Sequence, residues 1–243
     1  MTRMWATFLL LGAFAASTGA AQAGALRVFP VSIDVPAPGA AKTITLRNEG
    51  RTPLSMQARV FRWTLDEAGE DKLEPTADVV VSPPSASLRP GADYVIRVVR
   101  PGKLPPVGEE NYRLFIDELP SAGQLQSGTV ALLIRQSIPV FFSGADVVPP
   151  LVSWQVRSSG RSLIVTATNK GTKRLKVADL VLKTSAGTAV AQRRGLAGYV
   201  LGGSVRIWTL PSSSPLPTGA ALELNASSDS NRIAVKTTLL PAN

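Results

Sequence analysis

Turn signals interrupt this chain at short, regular intervals, and no helical stripe bridges them. Pro36-Ala37-Pro38-Gly39, Asn48-Glu49-Gly50, Arg89-Pro90-Gly91, Asn169-Lys170-Gly171, Ala186-Gly187 and Gly202-Gly203 all combine residues that favour reverse turns. Between them the sequence alternates with a period of two, as where Thr43, Thr45 and Arg47 interleave with Ile44 and Leu46. Nowhere does an apolar i, i+3, i+4, i+7 pattern last long enough for a substantial helix. A content of 20 glycines and 19 prolines suits the same reading. The expected fold class is all-β. Roughly seven strands fall on each side of Asp146-Val147-Val148-Pro149-Pro150, spaced by ~8–12 residues, which is the signature of two consecutive immunoglobulin-like β-sandwiches. The expected domains are residues 24–147 and 148–243, with no close internal sequence repeat between them.

In the first half, strands are predicted over 28–35, 41–48, 54–65, 79–82, 94–100, 112–119 and 129–142. Pro30 makes the first of these an edge or kinked strand. Residues 66–71 read as an acidic hairpin tip. In the second half the predicted strands are 152–156, 162–169, 175–184, 189–193, 199–210, 221–227 and 233–240, with Trp154, Tyr199 and Trp208 as core.

The first two dozen residues read as an address. Arg3 supplies a positive start, residues 5–16 are an apolar segment too short to span a bilayer, and Ala21-Gln22-Ala23 fits the small-x-small cleavage rule. Cleavage after Ala23 would leave Gly24 as the first residue of a mature, exported, periplasmic protein that is not embedded in a membrane. Without cysteine, that protein relies on its core alone, and 44% hydrophobic residues allow a sizeable one.

The absence of both His and Cys excludes a Ser-His-Asp triad, a cysteine nucleophile, an ordinary zinc site and a disulfide framework. Of the carboxylate pairs, Asp117-Glu118 falls in a strand, where neighbours point to opposite faces and cannot converge on one bond, and Asp66-Glu67 and Glu109-Glu110 read as loop charges. No metal site, cofactor or enzymatic activity is expected. Loss of Arg3 lowers the net charge from +9 to +8. The densest basic stretch, Lys170, Lys173, Arg174 and Lys176, lacks interleaved aromatics, so it reads as solvated surface and not as a nucleic-acid platform.

Residues 129–142 ask for more. Val130, Leu132, Ile134 and Ile138 fall on one face of an extended segment, and the other face is also largely apolar. Two readings stand: a central strand buried on both sides, or an edge strand that displays its apolar row for another chain to pair with by β-augmentation.

Pro30-Val31, Val81-Ser82-Pro83-Pro84, Leu88-Arg89-Pro90-Gly91 and Tyr94-Val95-Ile96-Arg97 occur in that order. They are followed by Tyr112-Arg113-Leu114-Phe115-Ile116-Asp117-Glu118-Leu119-Pro120 and Ile138-Pro139-Val140-Phe141-Phe142. This series resembles the periplasmic pilus chaperones of PapD-like type. Asn169, Gly198-Tyr199-Val200-Leu201, Gly203-Ser204 and Trp208 extend the resemblance over almost the whole mature chain. It implies two immunoglobulin-like domains set as a boomerang around a cleft. It implies as partners pilin-like secreted subunits, which borrow the chaperone's last strand in place of their own missing one, and an outer-membrane usher that receives them. Val130, Leu132 and Ile134 fall at the family's donor positions, and the stretch from Pro120 to Thr129 resembles the short form of the preceding loop. Arg97 corresponds to a position that holds an internal salt bridge. An exposed donor strand also invites self-dimerisation of the free protein.

One departure narrows the resemblance. The family's best-known members clamp the subunit's terminal carboxylate with an arginine and a lysine in the cleft, and the matching positions here are Ser32 and Pro139. This points to the archaic-type branch. A carboxylate still favours a guanidinium, which pairs with it in bidentate geometry. The candidates are Arg113, Arg27 and Arg135, with Arg113 equally readable as a strand-end residue in a local ion pair. The rival to the chaperone reading is an immunoglobulin-like structural or adhesive surface protein with no displayed strand.

Overall fold

The computed structural model describes residues 26–120, 133–229 and 231–242, which form seventeen β-strands. In the first half, β1 (Leu26–Phe29), β3 (Ala41–Asn48), β6 (Val80–Ser82) and β8 (Asp93–Val99) make a four-stranded sheet in the order β1-β3-β8-β6. The second sheet contains β2 (Ile33–Pro36), β4 (Leu54–Leu65), β5 (Asp71–Pro75), β7 (Ser85–Leu88), β9 (Glu109–Leu119) and β10 (Arg135–Ser143). Its order is β2-β10-β9-β4-β5, with β7 also on β4. Alternate residues of each sheet turn inward. Ile44, Leu46, Ile96 and Val98 pack against Leu114, Ile116, Ile138, Val140 and Phe142 in one core.

The expected strand over 28–35 is two strands in different sheets. β1 runs antiparallel to β3, whereas β2 runs parallel to β10, pairing Ile33 with Val140 and Val35 with Phe142. The chain changes sheet at Pro30, which has no N–H to give to a ladder.

The second half holds β11 (Val152–Ser159), β12 (Ser162–Asn169), β13 (Leu175–Thr184), β14 (Ala189–Val200), β15 (Val205–Pro211), β16 (Ala221–Ser227) and β17 (Arg232–Leu240). β17 pairs with β16 along its length and then with β11 at Leu239 and Leu240, joining the two layers. Trp208 is buried in this core and stacks on Trp154 at 5.9 Å. The all-β, two-sandwich architecture is the one the turn spacing predicts.

Both halves use the same device to end a strand. Asn48, fully buried at the end of β3, donates to the carbonyls of Thr52 and Leu88 at 2.8 and 3.0 Å and accepts from Gly50 N–H at 2.9 Å. Asn169, buried at the end of β12, donates to the carbonyls of Lys173 and Val200 and accepts from Gly171 and Leu151 N–H at 3.0 Å. A buried Asn satisfied on both sides fixes a turn that backbone pairing alone leaves open.

A separate cluster joins the two sandwiches. Trp63 of β4, Phe141 of β10, Tyr199 of β14 and Leu201 are all buried together, with Trp63 edge-on to Tyr199 at 5.3 Å. Tyr199 therefore belongs to this junction and not to the second core. Arg174 departs from the solvated-surface reading of its basic stretch. It is 8% exposed, lies 3.4 Å over the Phe141 ring, and pairs with Glu109 and Asp34 of the first half. The acidic hairpin tip between β4 and β5 also docks. A Cβ on Gly69 (φ +74°) would meet Ile207 N at 2.7 Å, and Asp71 accepts from Arg206 at 2.5 Å.

Candidate functional site

β10 carries the candidate site. Its antiparallel register with β9 opposes Arg135 to Asp117, Ser137 to Phe115 and Pro139 to Arg113. The Ile134 carbonyl accepts from Glu118 N–H at 3.1 Å, which sets the phase of the ladder. Backbone groups of even-numbered residues face β9, and those of Arg135, Ser137 and Pro139 face the other way. On that other side β2 covers β10 only from Val140 to Ser143. Among the described residues no strand pairs with Arg135–Pro139 there. Pro139 sits where this uncovered stretch meets β2 and contributes no N–H to the open edge, a usual place for proline in a sheet.

The side chains divide by the same parity. Ile138, Val140 and Phe142 turn into the first core, where Ile138 is only 2% exposed. Ile138 is therefore core and offers nothing to a partner. Ile134 is half-buried, and Val130 and Leu132 lie outside the described residues. The odd-numbered side chains share the outer face of the sheet with Phe61, Trp63, Arg113 and Phe115.

The three candidate anchors separate clearly. Arg27 is on the far sheet, 70% exposed, and pairs with Glu49 at 3.2 Å. Arg135 donates to Asp117 Oδ1 at 2.5 Å and lies 5.0 Å from the Phe115 ring centroid. Arg59 donates to the other oxygen of Asp117 at 2.6 Å. Burial pushes the Asp117 carboxyl up, but the two guanidinium hydrogen bonds outweigh it and hold the group below the usual carboxylate range. Both arginines are thus engaged locally.

Arg113 is different. Its side chain is 13% exposed and lies 3.7 Å over the Trp63 ring, with Tyr199 of the second half at 5.7 Å. Burial lowers its pKa from the ordinary guanidinium value. The closest carboxylate oxygen, Asp71 Oδ2, is 3.8 Å away, beyond hydrogen-bond distance. Among the described residues Arg113 meets no hydrogen-bond acceptor, although its guanidinium carries five N–H donors and sits at the junction of the two sandwiches. Pro139 and Phe61 flank it on β10 and β4. Ser32 is exposed just before β2 and Pro139 is buried, so neither supplies charge.

Arg97, expected to hold an internal salt bridge, is exposed and makes no ion pair with a described residue. Arg100 does that work nearby. Its Nε and Nη2 reach the Glu110 carboxylate at 2.8 and 2.9 Å, and Tyr112 Oη donates to the same group at 2.9 Å. Hydrogen bonding from Arg100 holds the Glu110 carboxyl below its usual range.

A sequence profile described as "Pili and flagellar-assembly chaperone, PapD N-terminal domain" matches residues 25–147. The chain belongs to the PapD-like pilus-chaperone family. A search of curated proteins found no match. Solved structures of the family share the fold. A chain of the CsuC–CsuE chaperone–tip adhesion subunit pre-assembly complex, from archaic chaperone–usher Csu pili of Acinetobacter baumannii, superposes with a TM-score of 0.67 at 23% identity. The match covers 90% of this chain and 100% of that one. The E. coli chaperone DraB gives 0.58 at 22% identity over 87% of this chain and 98% of its own. A chain of the Salmonella enterica SafA pilin–SafB chaperone complex gives 0.61 at 19% identity, over 90% and 99%.

Sequence reasoning missed Asp71, Arg206, Trp63 and Arg174 around this site. Each is a single residue on a different strand or loop, and no local pattern marks any of them.

Proposed function

We propose that this protein is a periplasmic chaperone that holds incomplete pilin-type subunits by lending them the open edge of β10, and then delivers them to an outer-membrane usher. The backbone of Arg135–Pro139, which no described strand pairs on the side away from β9, carries the reading, because β-augmentation needs unpaired N–H and C=O groups beside alternating apolar side chains. Residues 24–147 form the docking domain after export and cleavage behind Ala23. Val130, Leu132 and Ile134 supply the apolar row. Arg113 is the anchor for the subunit's terminal carboxylate: a guanidinium that is nearly buried and meets no hydrogen-bond acceptor among the described residues binds a carboxylate with charge-assisted bonds. Ser32 and Pro139 in place of a charged pair support membership of the archaic-type branch. The protein acts by binding and is not an enzyme.

The test is co-expression with each small secreted protein encoded beside it, followed by pull-down from the periplasm. The expected result is a stoichiometric complex with a client that aggregates or is degraded when expressed alone. Clients that are stable alone and never bind would overturn the proposal in favour of an immunoglobulin-like surface protein.

A further inference from the structure

Asp71 occupies an unusual position for a residue on a hairpin next to a carboxylate anchor. Its Oδ1 accepts from Arg206 of β15 at 2.5 Å, while its Oδ2 faces Arg113 at 3.8 Å. Arg206 is itself nearly buried, with 9% of its side chain exposed. Its second carboxylate neighbour, Glu70, is 3.7 Å away and 67% exposed. Two enclosed guanidinium groups thus share one close carboxylate, and Arg206 takes the short bond. Gly69 lets the hairpin come this near, since any Cβ there would strike Ile207 N at 2.7 Å.

We infer that Asp71 is a built-in competitor for the carboxylate that Arg113 receives, and that Arg206 sets how strongly it competes. The inference rests on the Arg113 anchor proposed above. Asp71 supplies enough negative charge to keep Arg113 tolerable in a nearly buried place. Pinned by Arg206, it cannot close to hydrogen-bond distance, so the Arg113 donors stay available. An incoming carboxylate then meets attraction from Arg113 and repulsion from Asp71 across a short gap. Asp71 and Arg206 are positioning residues, and they make carboxylate capture depend on the contact between the two sandwiches.

The experiment uses the mature protein and two simple probes: N-acetylated valine-threonine-valine with a free carboxylate, and the same tripeptide as its C-terminal amide. The Arg113 Nε–Hε resonance reports binding, and thermal melting confirms folding of each variant. In the wild type the acid should shift this resonance and the amide should not. Asp71→Asn keeps an oxygen for Arg206 but removes the charge. It should lower the acid concentration at half-saturation by about fivefold, the scale of one partly screened ion pair. Arg206→Gln frees Asp71 to swing onto Arg113, so it should raise that concentration by about twofold or more. A purely structural role would move both variants in the same direction, or change acid and amide alike. Unchanged or weaker acid binding by folded Asp71→Asn overturns the inference while leaving the anchor in place. If Asp71→Asn does not melt cooperatively, tighter or unchanged binding by Arg206→Gln overturns it instead. No response to the acid in the wild type and both variants removes the anchor itself, and the inference falls with it.

Discussion

Arg174→Met is the perturbation whose effect can be worked most fully from the structure. Arg174 reaches from the second sandwich to Glu109, whose side chain is 0% exposed, and to Asp34, which is 54% exposed. Removing one partner of a buried pair costs about 3–5 kcal/mol, because the other charge is left in a low-dielectric place. Glu109 would keep two donors, the Arg174 backbone N–H at 2.9 Å and Ser143 Oγ at 3.2 Å. That places the expected cost at the lower end, ~3 kcal/mol. The Asp34 pair adds under about 1 kcal/mol, because it is half in solvent. The lost cation–π contact on Phe141, roughly 1–2 kcal/mol, is largely replaced by a thioether on the same ring.

The assay is urea and thermal unfolding of the mature protein as a double-mutant cycle with Glu109→Gln. For a chain of this size ~1 kcal/mol moves Tm by about 2–4 °C, so Arg174→Met should lower it by roughly 6–12 °C. The double variant should recover a good part of the loss, with a coupling of about 2 kcal/mol. A loss below about 1 kcal/mol, or a coupling below about 0.5 kcal/mol, would refute the idea that this ion pair holds the sandwiches together.

Three further outcomes are expected. Leu132→Asp with Ile134→Asp should abolish subunit capture while melting stays cooperative; normal capture in the pull-down would remove the donor-strand assignment. Gly69→Ala should destabilise by roughly 2 kcal/mol, because alanine at φ +74° is strained and its Cβ meets the Ile207 backbone. Small-angle scattering should show a larger radius of gyration, and unchanged scattering and melting would mean that the hairpin does not dock. Burial pushes the Glu118 carboxyl above its usual value, and its Oε1 is buried without a described hydrogen-bond partner. A raised carboxyl pKa favours the fold at low pH, a gain lost as pH rises through it. Glu118→Gln should therefore raise stability at pH 7 by up to about 1 kcal/mol and lose that advantage below about pH 4; an advantage independent of pH would point to another cause.

How far the fold could be read from sequence varies with the range of the interaction. Period-two alternation and turn chemistry act within a few residues, so strands such as β3, β8 and β9 stand out in the sequence. The break at Pro30 was legible as a kink, but the change of sheet was not. It depends on whether the segment finds β3 or β10, contacts far along the chain. Ile138 shows the limit of parity. It lies in the same alternating row as Ile134, yet the first core closes over Ile138 and leaves Ile134 half-buried. Periodicity reports which side chains share a face and is silent on what covers that face.

The junction of the sandwiches was the least legible part, and for a physical reason. Its members are mostly isolated charges and aromatics drawn from β2, β4, β5, β9, β10, β14 and β15 and from neighbouring loops. None repeats with a period, and each in isolation resembles ordinary surface or core. Arg174 sits in a run of lysines, and only its partners 65 and 140 residues away make it a buried residue. Tyr199 looks like core because it is core, but of the junction. Arg113 is the one member that the sequence placed among its candidates. The resemblance implies a ligand that ends in a carboxylate, and a guanidinium is its geometrically matched receptor, which made Arg113 one of three candidates. Of the three candidate arginines, the structure leaves one without a hydrogen-bond acceptor among the described residues, at the point where both sandwiches meet the open edge of β10. With Arg113 as the proposed receptor, its place at the junction would tie subunit binding to domain contact. The strength of that tie is what the pair of Asp71 and Arg206 variants, moving binding in opposite directions, is designed to read.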